Sequence, residues 1–131
     1  MPWSCDPDTI RILIVDDDSM IRTFLRSTLE KLEHKMILEA GSGEKAIERF
    51  QQNKPHLVFL DIEMPGELNG LAVLDALRES EQAVSIIMIT AHSTVQNVRQ
   101  AAARKVDGFL AKPLNPERIK KALEHFHNSQ S

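Results

Sequence analysis

"ILIVDDDSM" (Ile12–Met20) runs four apolar residues straight into three carboxylates, Asp16, Asp17 and Asp18. The apolar half is rich in β-branched residues and reads as a strand buried on both faces. The acidic half sets like charges side by side at the end of that buried run, where each raises the proton affinity of the next. A sequence keeps such a cluster when something positive neutralises it, and the rest of the chain supplies candidates.

Outward from this stretch, short apolar runs alternate with helical patterns. Strands are expected at residues 10–15, 35–40 ("KMILEA"), 57–60 ("LVFL"), 85–90 ("SIIMIT") and 108–111 ("GFLA"). The first helix is expected over 19–33, with Ile21, Phe24, Leu25, Thr28, Leu29 and Leu32 at helical spacing and Asp18 or Ser19 as N-cap. "GSGEKAIERFQQN" gives a turn and a second helix that stops before Pro55; "LAVLDALRES" and "TVQNVRQAAARK" give two more. Asn115 caps a last helix through about Phe126, with Ile119, Leu123 and Phe126 on one face. Five strand–helix alternations predict an α/β domain, a parallel sheet with helices on both faces. In open sheets of this kind the ligand site lies outside the carboxyl ends of the strands.

Those ends carry Asp16–Asp18 after the first strand, Asp61 after the third, Thr90 at the end of the fourth and Lys112 after the fifth. Three close carboxylates, a hydroxyl and an ammonium converge on one edge. Mg²⁺ relieves the carboxylates and prefers to share phosphate oxygens. Lys112 and Thr90 add a second cation and a donor, so the set suits a phosphoryl group. Residue types alone leave open whether that group sits on a ligand or on the protein, since a carboxylate can itself become an aspartyl phosphate.

Composition narrows the class. The 131 residues suit one domain, 42% hydrophobic and 27% charged, with a net charge of −3 that draws the chain to neither nucleic acid nor anionic membrane. No apolar run approaches the roughly 18 residues of a membrane span, and "MPWSCDPDT" has no signal-peptide pattern. One cysteine, Cys5, forms no internal disulfide, which favours a reducing cytoplasm. Residues 1–9 read as an N-terminal arm, 10–127 as the domain and 128–131 ("NSQS") as a polar tail.

"VDDDSMIR", "LVFLDIEMPG", "MITAHS" and "FLAKP", in this order and each at a strand end, resemble the bacterial response-regulator receiver domain, the phosphoacceptor module of two-component signalling, over residues 10–127. The resemblance implies a doubly wound, flavodoxin-like (βα)5 domain with strand order 2-1-3-4-5. It implies a signalling switch rather than an enzyme, limited to self-phosphorylation from small phosphodonors and autodephosphorylation. Asp61 is the implied phosphoacceptor from a histidine kinase or histidine phosphotransferase. Asp16, Asp17, Asp61 and the backbone carbonyl of Glu63 are the implied Mg²⁺ ligands, Asp16 through water. Thr90, Ala91 and Lys112 are the implied phosphoryl-binding groups, Phe109 the switch aromatic, and Lys112-Pro113 a cis peptide. The readout surface would be the fourth helix, fifth strand and last helix, where Arg99, Arg104, Lys105, Arg118, Lys120 and Lys121 suit an acidic target or a receiver homodimer. Two features depart from the family pattern: the loop "MPGELNG" is one residue longer than usual, and Phe109 lacks the hydroxyl of the common Tyr. Glu63 and His92 flank the expected pocket and are candidates for positioning water.

Two rival motifs compete. Gly41, Gly43 and Ala46 fit G-x-G-x-x-A, a dinucleotide fingerprint, but after the second strand and with no use for Asp16, Thr90 or Lys112. Asp16 and Asp18 fit the D-x-D of aspartate-dependent phosphatases, but Met20 breaks that motif. No room remains after residue 127 for an output domain, so the expectation is either a free-standing receiver or a fragment of a larger regulator with a DNA-binding or enzymatic output.

Overall fold

Alternate residues of each central strand face opposite layers, and both layers are apolar. Leu13 and Val15, Val58 and Leu60, and Ile86 and Met88 pack with Ala46, Phe50, Val73, Leu74, Leu77 and Ala101. Ile12 and Ile14, Leu57 and Phe59, and Ile87 and Ile89 pack with Leu25, Leu29, Ile119, Leu123 and Phe126. This two-sided burial is why the strands read as unbroken apolar runs.

The structure, a computed structural model, describes residues 9–80, 83–91 and 95–130, with backbone alone for 95–97 and 129–130. Trp3, Cys5 and His92 lie outside the described residues. The elements are β1 (Arg11–Val15), α1 (Ser19–Lys31), β2 (Met36–Ala40), α2 (Gly43–Asn53), β3 (Leu57–Asp61), α3 (Gly70–Glu79), β4 (Ser85–Thr90), α4 (Val95–Ala103), β5 (Gly108–Ala111) and α5 (Pro116–Gln130). The strands form one parallel sheet in the order β2-β1-β3-β4-β5, the order expected. Helices α1 and α5 cover one face; α2, α3 and α4 cover the other.

Local chemistry sets the helix ends. Asp18 is the α1 N-cap, its carboxylate accepting from Met20 N at 2.9 Å. The helix stops at Lys31, two residues before the expected end, because Glu33 adopts a left-handed φ of 71° and turns the chain. Phe24, one of the apolar residues at helical spacing, is 38% exposed; the buried stripe runs through Leu25, Thr28 and Leu29. Ser42 caps α2 through Lys45 N, and the Arg11 guanidinium satisfies the terminal carbonyls of Asn53 and Lys54. Helix α5 runs to Gln130, beyond the expected end near Phe126, because 127–130 contain no Gly or Pro to stop it.

The backbone ladder continues past the strand ends. Asp16 N donates to Ala40 O, Ile62 N to Ile89 O and Lys112 N to Thr90 O. Val15 pairs with Leu60, so Asp16 and Asp61 follow side by side on adjacent strands. The sheet register thereby delivers Asp16, Asp61, Thr90 and Lys112 to one edge.

Candidate functional site

The carboxylates of Asp16, Asp17 and Asp61 converge, with one oxygen from each lying within 4.8 Å of the others. Asp16 and Asp61 are buried and Asp17 is exposed, so the cluster opens to solvent on the Asp17 side. Asp18 is turned away into its helix cap and takes no part. The Asp18 N–H donates back to Asp16 Oδ1 at 2.9 Å, and the Arg22 guanidinium donates to the Asp16 carbonyl at 2.6 Å. The turn that carries Asp16 and Asp17 is thus fixed from both sides.

Lys112 Nζ stands 3.1 Å from Asp16 Oδ2 and 3.5 Å from Asp61 Oδ2. The Lys112–Pro113 bond is cis. Burial alone would lower the proton affinity of Lys112, but Asp16 and Asp61 outweigh it and raise it, so Lys112 is a fixed cation. The Asp61 carboxyl is pushed up to about 7, by burial first and then by Asp16, against the opposing pull of Lys112. A single ammonium therefore leaves these carboxylates under-neutralised. Asp16 Oδ2 is also buried, and the Lys112 ammonium is the group that faces it. An oxygen-rich, under-neutralised cluster with an open side fits a hard divalent cation that keeps several waters.

Glu63 reaches across from the loop after β3. Its N–H donates to Asp61 Oδ1 at 3.1 Å. Its carboxylate Oε1 accepts from Thr90 Oγ1 and, at 3.2 Å, from Ala91 N. Thr90 is fully buried and Ala91 is exposed. The sequence assigned Glu63 by its backbone and as a water-positioning candidate; its side chain proves to hold the two donors at the end of β4. Position was the only signal, since a residue two past a strand end projects into the same cleft.

Phe109 is half-buried and packs against the α2–α3–α4 layer. Beside it a cleft of about 300 Å³ is lined by Ile87, Phe109, Ala111, Arg118, Lys121 and His125. Of the expected cationic surface, Arg104 is drawn onto Asp75 of α3 at 2.8 Å, while Arg99, Lys105, Arg118, Lys120 and Lys121 are exposed.

Two glycines hold the long loop in place. A Cβ on Gly43 would collide with Leu68, and a Cβ on Gly70 with the Asp61 carbonyl. Leu68 thus fills the space beside Gly43 that the dinucleotide reading would leave for the close approach of a pyrophosphate, which counts against that rival.

A family model described as "Response regulator receiver domain" matches residues 12–124. The chain belongs to this family. The receiver is 36% identical over 113 residues to the nitrate/nitrite response regulator protein NarL of Escherichia coli, covering 86% of this chain and 52% of that protein. It is 30% identical over 115 residues to the chemotaxis protein CheY of Listeria monocytogenes, covering 88% and 96%. Chemotaxis protein CheY4 of Vibrio cholerae superposes with a TM-score of 0.83 at 27% identity, covering 89% of this chain and 98% of that one. The receiver thus spans about half the length of NarL and nearly all of CheY. It is a signalling domain of two-component systems, and no helix among its described residues is long and apolar enough to cross a membrane.

Proposed function

We propose that residues 10–127 form a phosphorylation-activated switch in which Asp61 accepts a phosphoryl group from a histidine kinase or histidine phosphotransferase. The observation that carries this reading is the convergence of Asp16, Asp17 and Asp61 beside Lys112 at one sheet edge. An Asp61 carboxylate oxygen attacks phosphorus as the P–N bond to the donor histidine breaks, and the departing imidazole keeps the bonding pair and takes up a proton. Asp17, Asp61 and the Glu63 backbone carbonyl, with Asp16 through water, would hold Mg²⁺, which would supply charge neutralisation for the incoming phosphoryl oxygens. Lys112 Nζ, Thr90 Oγ1 and the Ala91 N–H bind those oxygens once they arrive.

Phosphorylation adds about two negative charges at the sheet edge. The phosphoryl group stabilises one of two packings of Phe109 and α4, rather than creating a new one. The α4–β5–α5 face then presents its exposed Arg and Lys residues to an acidic segment of a downstream protein or to a second receiver. A second reading, favoured by the half-length match to NarL, has the same switch drive an output domain within a longer regulator.

Acetyl phosphate or beryllofluoride with Mg²⁺, added to wild type and Asp61→Asn, tests the assignment. Mg²⁺-dependent modification of wild type at Asp61 and none in the variant is expected. Modification at Asp16 instead would favour the phosphatase chemistry of the D-x-D pattern, and an unmodified wild type would refute the phosphoacceptor role.

A further inference from the structure

The donors that would receive a phosphoryl group are already in use. Thr90 Oγ1 and Ala91 N both donate to one oxygen, Glu63 Oε1. A carboxylate oxygen carries more than one lone pair, which makes a carboxylate the nearest side-chain counterpart of a terminal phosphoryl oxygen. Glu63 is also tied to the acceptor, because its own N–H donates to Asp61 Oδ1. Acceptor and carboxylate therefore ride on one short turn, and the carboxylate is held at the mouth of the cleft.

We propose that the Glu63 carboxylate is a built-in occupant of the phosphoryl seat, holding Thr90 Oγ1 and Ala91 N until the phosphoryl group displaces it. The inference rests on the phosphoacceptor reading of Asp61. It has two physical consequences. Thr90 is buried and already donates to Glu63 before phosphorylation, so its hydroxyl exchanges a carboxylate oxygen for a phosphoryl oxygen when the switch is thrown. The exchange also costs affinity, because two hydrogen bonds to a charged acceptor must be broken before two new ones form. Glu63 is a positioning residue in this scheme. It touches the donors and forms no bond to phosphorus.

Beryllofluoride reads the seat without covalent chemistry. Its affinity should be measured with saturating Mg²⁺ at one pH for wild type, Glu63→Gln and Glu63→Ala. Gln keeps a carbonyl oxygen for the two donors while losing the charge, and Ala clears the seat. The expected order of affinity is Ala above Gln above wild type, with a gain on the order of tenfold from wild type to Ala. In a Thr90→Val background the Ala gain should shrink, because one of the two donors it frees is gone. By NMR the Ala91 amide should shift upfield and exchange faster with solvent in Glu63→Ala but move little in Glu63→Gln.

Equal affinities for wild type and Glu63→Ala would overturn the inference. So would equal gains from Gln and Ala, which would reduce Glu63 to charge repulsion alone, or an Ala91 amide unmoved by Glu63→Ala. A wild type that neither binds beryllofluoride nor is modified at Asp61 by acetyl phosphate is a different failure, that of the phosphoacceptor reading itself.

Discussion

Lys112 Nζ lies 3.1 Å from Asp16 Oδ2, on the far side of the sheet edge from the strand that carries the aspartate. The pair spans β1 to β5 across β3 and β4 and couples the acidic turn to the last strand. Asp16 is fully buried and Lys112 is 19% exposed, so the ion pair is shielded from water on one side only. Removing the cation strands two buried carboxylates. Lys112→Met should lower stability by about 2–4 kcal/mol at neutral pH, and Mg²⁺ should restore part of the loss by taking over the neutralisation. Urea denaturation with and without Mg²⁺ checks this; a Mg²⁺-insensitive loss would show that the metal does not engage these carboxylates.

Asp61 should make the metal-free protein less stable as pH rises. Its carboxyl is pushed from 3.8 up to about 7, by burial first and then by Asp16. Between those values the folded chain binds more protons than the unfolded one, so unfolding free energy falls as pH increases through the window. The cost is absent below the unfolded value and complete above the folded one. Asp61→Asn should therefore be more stable than wild type by about 2–4 kcal/mol at around pH 8 and nearly equal to it at around pH 4. Mg²⁺ should narrow the difference at the higher pH. Chemical denaturation across the window reads the sign directly, and a variant less stable than wild type at the higher pH would contradict it.

Gly43 and Gly70 should separate stability from chemistry. Both lack room for a Cβ, Gly43 against Leu68 and Gly70 against the carbonyl of Asp61 and Ile62 Cα. Each Ala substitution should cost about 1–3 kcal/mol through forced backbone movement. Only Gly70→Ala moves the backbone of the proposed acceptor, so it should also slow phosphorylation from acetyl phosphate several-fold, while Gly43→Ala leaves that rate near wild type. Equal rates for the two variants would show that the α3 start does not position Asp61.

The fold was legible because the central strands are apolar on both faces and four of the five strands lead into polar residues, Asp16, Asp61, Thr90 and Lys112. Alternation supplied the layers; the polar strand ends supplied the edge. Strand order came from family resemblance, since no local pattern in residues 10–15 or 57–60 says which neighbours they take. Boundaries failed where one residue decided them, as at Glu33, whose left-handed turn ends α1 early. Phe24 keeps helical spacing yet stays exposed, because a helical stripe is wider than the face it buries. The side chain of Glu63 was invisible for a deeper reason. Its hydrogen bonds join residues 27 and 28 positions apart, and only the β3–β4 register brings them together.

His34 should impose the opposite pH dependence from Asp61. Its ring is 2% exposed, its Nδ1 has no hydrogen-bond partner among the described residues, and it stacks on His127 at a centroid distance of 5.4 Å. Burial first, and then the neighbouring His127, lower it from 6.5 to about 4. Between those values the unfolded chain binds more protons than the folded one, so His34 carries no cost above the unfolded value. A penalty accumulates as pH falls from there and is complete below the folded value. His34→Phe keeps a flat ring against His127 and removes the proton site. Relative to wild type, it should gain about 2 kcal/mol of stability on going from about pH 8 to about pH 5. The comparison cancels the titrating groups that do not touch His34, because both chains share them. Urea denaturation at the two pH values measures the difference, and an NMR titration of the His34 ring locates its midpoint. A His34 midpoint near the ordinary histidine value, or a stability difference that stays constant between the two pH values, would show that the stacked pair does not exclude the proton.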